Sequence, residues 1–178
     1  MNLVPTLDIV IVNWNSGALL QTCLMSIAAA RTGEMGVGRV VIVDNGSTDG
    51  SLDGVERIHS LIQIVRNEGN AGFSVACNQG AAHCDAKYLL FLNPDTRILS
   101  ESLRLPLSFM EDPANESVGI CGIRLLDTEG HAGRTCCRFP TVATFLHKAM
   151  GLDAIFPMAL KGYVMTEWDH EQSASVDH

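Results

Sequence analysis

Tyr88-Leu89-Leu90-Phe91-Leu92-Asn93-Pro94-Asp95-Thr96 is an apolar run that stops abruptly at a polar tripeptide. Large apolar residues in succession, bounded by turn formers, read as a buried strand of the kind found in parallel sheets covered on both faces. Pro94 fixes its own φ and lacks an N–H, so a central strand ends there and the chain turns. Asn93 and Asp95 then stand at a strand's C-terminal end, where open α/β sheets bind ligands. A carboxylate in that place suits a metal ion and a diphosphate. The structural alternative is an Asx-Pro turn in which Asp95 caps the segment after it.

Outward from this stretch, apolar β-branched runs alternate with segments of helical period. The pattern predicts strands over 7–12, 40–43, 62–65 and 88–92, and helices over 19–30, 52–59 and 73–84. Repeated βα order implies an α/β fold with a mostly parallel, Rossmann-like sheet flanked by helices. The first helix gathers Leu19, Leu20, Cys23, Leu24 and Ile27 on one face. The third gathers Phe73, Ala76, Cys77, Gly80, Ala81 and Cys84. Both faces need a sheet to cover. Right-handed crossovers bring four polar loops to one rim: Asn13-Trp14-Asn15, Asp44-Asn45-Gly46-Ser47, Asn67–Gly72 and Asn93-Pro94-Asp95. Beyond Ser100 an amphipathic helix is expected at 103–110 and a strand at 118–125, with a less regular tail from Thr128. The organisation expected is therefore a core over 1–127 and an irregular apolar tail over 128–178.

The 178 residues are 47% hydrophobic and 18% charged, enough for one sizeable core and short for two. A net charge of −8, with no compensating Lys/Arg run, argues against a nucleic-acid partner. An acidic protein that binds a diphosphate is expected to recruit a divalent cation. The six cysteines, Cys23, Cys77, Cys84, Cys121, Cys136 and Cys137, form no C-x-x-C pair and suit buried thiols in a reducing, cytoplasmic compartment. The N-terminal MNLVPTLDIVIVNW has no basic leader and reads as a first strand rather than a signal peptide, and no stretch approaches a membrane span.

Asp44-Asn45-Gly46-Ser47-Thr48-Asp49-Gly50-Ser51 offers carboxylate, amide and hydroxyl groups on a glycine-permitted turn, for a base, a ribose or its own chain. A plain helix-capping loop is the competing reading. Neither G-x-G-x-x-G nor G-x-x-x-x-G-K-[ST] occurs after the first strand, which weighs against dinucleotide oxidoreductases and P-loop enzymes. In Asn67-Glu68-Gly69-Asn70-Ala71-Gly72-Phe73, Asn70 is the expected N-cap of the third helix, and Gly72 permits close backbone approach. The N–H groups at that helix start can face a phosphate. Trp14 reads as a packing residue, with base stacking as the second option. None of the six histidines pairs at metal-ligand spacing, and His83 reads as a surface or capping residue.

Together these motifs resemble the family 2 glycosyltransferases, and most closely their rhamnosyltransferase-like branch. The resemblance rests on IVIVNWNSG (9–17), VVIVDNGSTDGS (40–51), RNEGNAGFSVACNQG (66–80) and LLFLNPDT (89–96), in the family's order and spacing. It implies the GT-A fold and binding of a nucleoside-diphosphate sugar, with Asn13, Trp14, Asn15, Asp44, Asn45, Ser47, Asn70, Gly72, Asn93 and Asp95 as binding residues. It also implies that Asn93 and Asp95 occupy the outer positions of the D-x-D motif, so that Asp95 ligates Mg²⁺ or Mn²⁺. Asn at the first position departs from the commonest form of that motif.

The implied reaction is direct displacement at the sugar C1 with inversion, the metal neutralising charge on the leaving diphosphate. The sugar implied is rhamnose, and the acceptor a glycan or lipid-linked saccharide of polysaccharide biosynthesis. In relatives the catalytic base belongs to a Glu-Asp segment downstream of a Gly-Gly-Phe-Asp loop, and neither is found here. No catalytic base is assigned, Asp169 and Asp177 being expected as solvated tail charges. The resemblance thus implies the nucleotide-sugar-binding portion of such an enzyme, a non-catalytic binding or interaction fragment being the alternative; a nucleotidyltransferase would want a basic loop after the first strand. The apolar tail, with Phe139, Val142, Phe145, Leu146, Met150, Leu152, Ile155, Phe156, Met158, Leu160 and Val164, is expected to self-associate. Contact with the inner face of a membrane is the second option, since only Lys148 and Lys161 give it a basic side.

Overall fold

The computed structural model describes residues 7–30, 36–58, 61–99, 101–133, 136–137, 141–151 and 165. The chain divides into two compact units, Met1–Gly119 and Ile120–His178. In the first, β1 (Leu7–Asn13), β2 (Val37–Asp44), β3 (Ile62–Arg66) and β4 (Tyr88–Leu92) pair in parallel in the order β3-β2-β1-β4. Between them run α1 (Ala18–Ala30) and α2 (Phe73–Ala81), and α3 (Glu101–Glu111) comes after β4. The α/β expectation, a mostly parallel sheet flanked by helices, is met.

The central strands β1 and β2 read as nearly unbroken apolar runs because they are buried on both faces. Ile9, Ile11, Val40 and Ile42 pack with Leu20, Leu24 and Ile27 of α1 and with Leu103 and Leu107 of α3. Val10, Val12, Val41 and Val43 pack under α2 with Ala76. Gly80 lets α2 approach so closely that a Cβ there would lie 2.4 Å from Val10 Cγ1. The edge strand β4 alternates between half-buried and exposed positions, leaving Leu89 and Phe91 partly open.

At the opposite end from the rim, Asp8 is a buried charge within β1. Its carboxylate accepts from the N–H groups of Arg39 (2.7 Å), Asp85 (2.9 Å) and Ala86 (3.2 Å). A buried carboxylate needs such partners, and these three tie β1 to the start of β2 and to the turn before β4. Arg39 in turn pairs with Asp85 and donates to the His83 carbonyl.

Several expectations are corrected. Over the expected helix 52–59 the chain makes only a 3₁₀ turn, Val55–Arg57, preceded by Gly50 and Gly54 at φ 73° and 75°, which α-helix excludes; His59 lies outside the described residues. The third predicted helix ends at Ala81 rather than Cys84, because the N–H groups of His83 and Cys84 bond three residues back in a tightened last turn. Leu19 and Phe73, expected on buried faces, are exposed: each stands in the first turn of its helix, at the loop end of the sheet. The expected strand 118–125 does not form; Gly119 and Gly122 interrupt it, and it has no ladder partner among the described residues.

In the second unit an isolated antiparallel bridge joins Leu126 to Ala132. The sequence did not suggest α4 (Val142–Ala149), which exposes Val142, Phe145 and Leu146, with Met150 just beyond. Of the apolar tail, Phe139, Leu152, Ile155, Phe156, Met158, Leu160 and Val164 lie outside the described residues, as do Lys161, Asp169 and Asp177.

Candidate functional site

The chain steps from β1 to β2 to β3 in one direction and then returns to the far side of β1 for β4. The strand order reverses between β1 and β4, and the C-terminal end of the sheet beside that reversal is the usual ligand position in open α/β sheets. The loops at 14–17, 45–54, 67–72 and 93–97 surround it.

The side chain of Asn13, the last residue of β1, is the hub of this rim and is 0% exposed. Its Nδ2 donates to Asp44 Oδ1 (2.8 Å), Ser51 Oγ (2.9 Å) and Ser47 Oγ (3.0 Å), and its Oδ1 accepts from the Ser16 hydroxyl. Two amide hydrogens face three acceptors, so one is shared, and the group is consumed within the protein. Asp44, 4% exposed, accepts from Asn13 and, through Oδ2, from the Ser47 N–H at 3.1 Å. Both residues frame the site from below.

Asn15 takes a left-handed backbone at φ 49°, which Asn tolerates better than most residues. Its N–H donates to Ser47 Oγ (2.9 Å) and its Oδ1 accepts from the Thr48 N–H (2.8 Å). Asp49 closes the same seam, accepting from Gly17 N–H at 2.7 Å and Ser51 N–H at 3.0 Å. Hydrogen bonds from the Ser51 hydroxyl and N–H, helped by Gly17, hold the exposed Asp49 carboxyl below its usual range. Stitched in this way, the first loop lifts Trp14 outward, 58% exposed, so it is not the packing residue expected.

The third loop locks onto the second through amides. Asn67 Nδ2 donates to Asn45 Oδ1 and to Gln79 Oε1, each at 2.8 Å, while Gln79 Nε2 returns a bond to Asn67 Oδ1 at 3.0 Å. Gly46, at φ 77°, meets Gly69 backbone to backbone; a Cβ on Gly46 would lie 2.8 Å from Gly69 Cα. Asn70 is not the N-cap of α2. That position belongs to Gly72, at φ 89°, and the Asn70 Oδ1 instead accepts from the Gly72 N–H in an Asx turn. The N–H groups of Phe73, Ser74 and Val75 consequently bond no acceptor among the described residues and open onto the rim.

At β4 the Asn93 carbonyl accepts from Thr96 N–H (3.2 Å) and Thr96 Oγ (2.6 Å), closing a β-turn with Pro94 at its second position. From below, the buried Cys23 thiol donates to the same carbonyl at 3.8 Å; burial pushes that thiol's pKa up to about 11, so it stays neutral. Backbone and Thr96 thus hold the turn, and the exposed side chains of Asn93 and Asp95 make no hydrogen bond or ion pair among the described residues. Asp95 does not cap the segment after it. No group of three His, Cys, Asp or Glu side chains forms a metal cage among the described residues. A Mg²⁺ or Mn²⁺ ion that takes one or two protein oxygens, and the rest from diphosphate and water, fits this donor set.

All ten sequence-selected residues therefore fall on the rim, but in two layers: Asn13, Asp44 and Asn45 are buried beneath, while Trp14, Asn15, Asn70, Gly72, Asn93 and Asp95 are exposed and Ser47 lies between. Arg66 was missed. It ends β3 beside Asp44 in the ladder, is exposed, and has no ion-pair or hydrogen-bond partner among the described residues. Its signal was being the one basic residue in the rim motifs of an acidic chain.

Residues 8–137 match the model of "Glycosyl transferase family 2". A putative teichuronic acid biosynthesis glycosyltransferase, TuaG of Bacillus subtilis (strain 168), is 35% identical over 74 residues, covering 40% of this chain and 29% of that protein. The uncharacterised glycosyltransferase YibD of Escherichia coli (strain K12) is 29% identical over 100 residues, 55% of this chain and 28% of that one. The chain thus spans less than a third of the length of these relatives. Among solved structures, S. aureus TarS 1-349 in complex with UDP-GlcNAc matches with a TM-score of 0.54 at 24% identity, over 60% of this chain and 31% of that one. The mannosyltransferase PcManGT from Pyrobaculum calidifontis, in complex with GDP-Man and Mn²⁺, matches with a TM-score of 0.54 at 22% identity, over 61% and 33%. These last two are similar in fold.

Proposed function

The chain belongs to glycosyl transferase family 2, and on that premise we propose that residues 7–99 hold the nucleoside diphosphate of an activated sugar for inverting, metal-dependent transfer. The observation that carries this reading is the Asn93–Thr96 turn, which is held by its own backbone and by Thr96, so that the Asn93 and Asp95 side chains stay uncommitted at the loop end of the sheet.

In this reading Trp14 stacks on the base, and the N–H groups at the start of α2 and the Arg66 guanidinium donate to nucleotide oxygens. Asn13 and Asp44 set the height and spacing of the loops that hold the nucleoside. Asp95, with Asn93, would hold Mg²⁺ or Mn²⁺. When bound, that ion supplies neutralisation of charge on the departing diphosphate. The acceptor hydroxyl oxygen forms its bond to C1 as the C1–O bond to the diphosphate breaks, and its proton passes to a carboxylate base. Rhamnose is our choice of sugar and a glycan or lipid-linked saccharide our choice of acceptor, in polysaccharide biosynthesis in the cytoplasm.

Calorimetry with UDP, dTDP and GDP, with and without Mn²⁺, tests the reading. Asp95→Asn should weaken diphosphate binding mainly in the presence of metal, and equal weakening in both conditions would overturn the assignment. Asp44→Ala should weaken the free nucleoside as well. Slow release of sugar from the donor by the wild-type chain would favour an enzyme over a non-catalytic binding fragment.

A further inference from the structure

Asn93 and Ile98 bracket the turn that carries Asp95, and both are tied to a single helix. The Cys23 thiol donates to the Asn93 carbonyl at 3.8 Å, and the Ser26 hydroxyl accepts from the Ile98 N–H at 2.9 Å. Cys23 and Ser26 stand three residues apart on the buried face of α1. The Ser26 bond has one possible sense. A backbone N–H only donates and a backbone carbonyl only accepts, so the hydroxyl that receives the Ile98 N–H gives its own hydrogen to the Cys23 carbonyl, 2.6 Å away.

A serine here is at odds with its surroundings. Leu20, Cys23, Leu24 and Ile27 are the other buried residues of α1, and alanine at 26 would be the better helix former and would bury no hydroxyl. What the hydroxyl supplies is an acceptor for a buried backbone N–H in the irregular segment after β4, a donor that is costly to leave unpaired.

The shape of the turn and its placement have different origins. The Thr96 N–H and hydroxyl close the turn onto the Asn93 carbonyl, so its shape is local. Its placement is not. Between the end of β4 at Leu92 and the start of α3 at Glu101, the chain is held to the domain by the bonds to Cys23 and Ser26 and by the packing of Ile98 in the core. Loss of the Ser26 bond would leave the turn closed but free to shift.

Resting on the reading of Asp95 as a metal ligand, we propose that Ser26, with Cys23, is a positioning residue that seats the Asn93–Thr96 turn and so sets the reach of the Asp95 carboxylate toward a diphosphate-bound cation. Neither residue touches the nucleotide. The second turn of α1 thereby becomes part of the apparatus for the metal, although it carries no ligand to it.

Calorimetry with UDP, dTDP and GDP, each in Mn²⁺ and in EDTA, tests this together with amide hydrogen exchange. Ser26→Ala should speed exchange at Ile98 about tenfold or more while leaving β1 and β2 unchanged. It should raise Kd about fivefold in Mn²⁺, roughly 1 kcal/mol, with no change in EDTA. Cys23→Val, which fills the same space without a donor, should raise the Mn²⁺ Kd about twofold, as suits a weaker bond. In an Asp95→Asn background Ser26→Ala should add nothing, because the turn then has no carboxylate to place. An equal rise in Mn²⁺ and EDTA would make Ser26 a support of the fold alone and overturn the positioning role. An unchanged Kd in Mn²⁺, or an undiminished effect beside Asp95→Asn, would overturn it too. If Ser26→Ala does not fold, Cys23→Val decides by the same comparison. Wild-type binding that is indifferent to Mn²⁺, or absent for all three nucleotides, would overturn the underlying reading instead.

Discussion

Replacing Asn13 by Ala separates a framing role from direct contact with ligand. The wild-type amide is 0% exposed and donates to a carboxylate and two hydroxyls while accepting from a third hydroxyl. A hydrogen bond to a charged group contributes about 1.5–3 kcal/mol and a neutral one about 1, and a buried acceptor left without its donor costs about as much again. Asp44 retains the Ser47 N–H, which limits that last term. Because one of the two amide hydrogens is shared, the loss counts as one charge-assisted bond and two neutral ones, a destabilisation on the order of 4 kcal/mol. With a urea m-value of about 2 kcal/mol/M for a small domain, the midpoint should fall by roughly 2 M, monitored by circular dichroism. A residue whose purpose is to touch nucleotide would behave otherwise, with affinity lost and the midpoint unmoved. A shift below about 0.3 M would refute the hub reading and return Asn13 to the ligand.

Asp8→Asn should cost about 2 kcal/mol, because its NH₂ group must face an N–H donor from Arg39, Asp85 or Ala86, and the same urea titration measures it. The depressed pKa of Asp49 means that the Gly17–Asp49 seam is fully present above the ordinary carboxylate value and is lost as pH falls through the lower folded-state value. The Gly17 amide proton should therefore shift in acid with a midpoint below 3.8, and not at all in Asp49→Asn. Sedimentation across a wide concentration range should show self-association that Phe145→Glu on the exposed side of α4 reduces; a strict monomer at all concentrations would end that reading.

The sheet was legible because each of its strands is a dense apolar run, and β1 and β2 could hardly be read otherwise. The strand 88–92 was found to the residue since Pro94 closes it chemically. Helix 52–59 was misread because hydrophobic spacing does not register that Gly50 and Gly54 take left-handed φ. The strand at 118–125 was misread because a strand needs a partner that composition cannot supply. At the rim, motifs identified the residues but not their depth: Trp14 and Asn13 are neighbours in sequence and opposites in exposure, a distinction set by three-dimensional bonds to Ser47 and Ser51. The amide chain from Gln79 to Asn45 was invisible for the same reason, its members being 12 and 22 residues apart.

The contact of Gly46 with Gly69 bears on attempts to redesign what this site accepts. Two loops that touch main chain to main chain leave no side chain at their junction to trim or enlarge, so the pair behaves as one cassette. Grafting a donor-selecting loop after β2 from another protein would fail sterically unless its partner after β3 travelled with it. Libraries that randomise the two segments separately would mostly sample chains that cannot close.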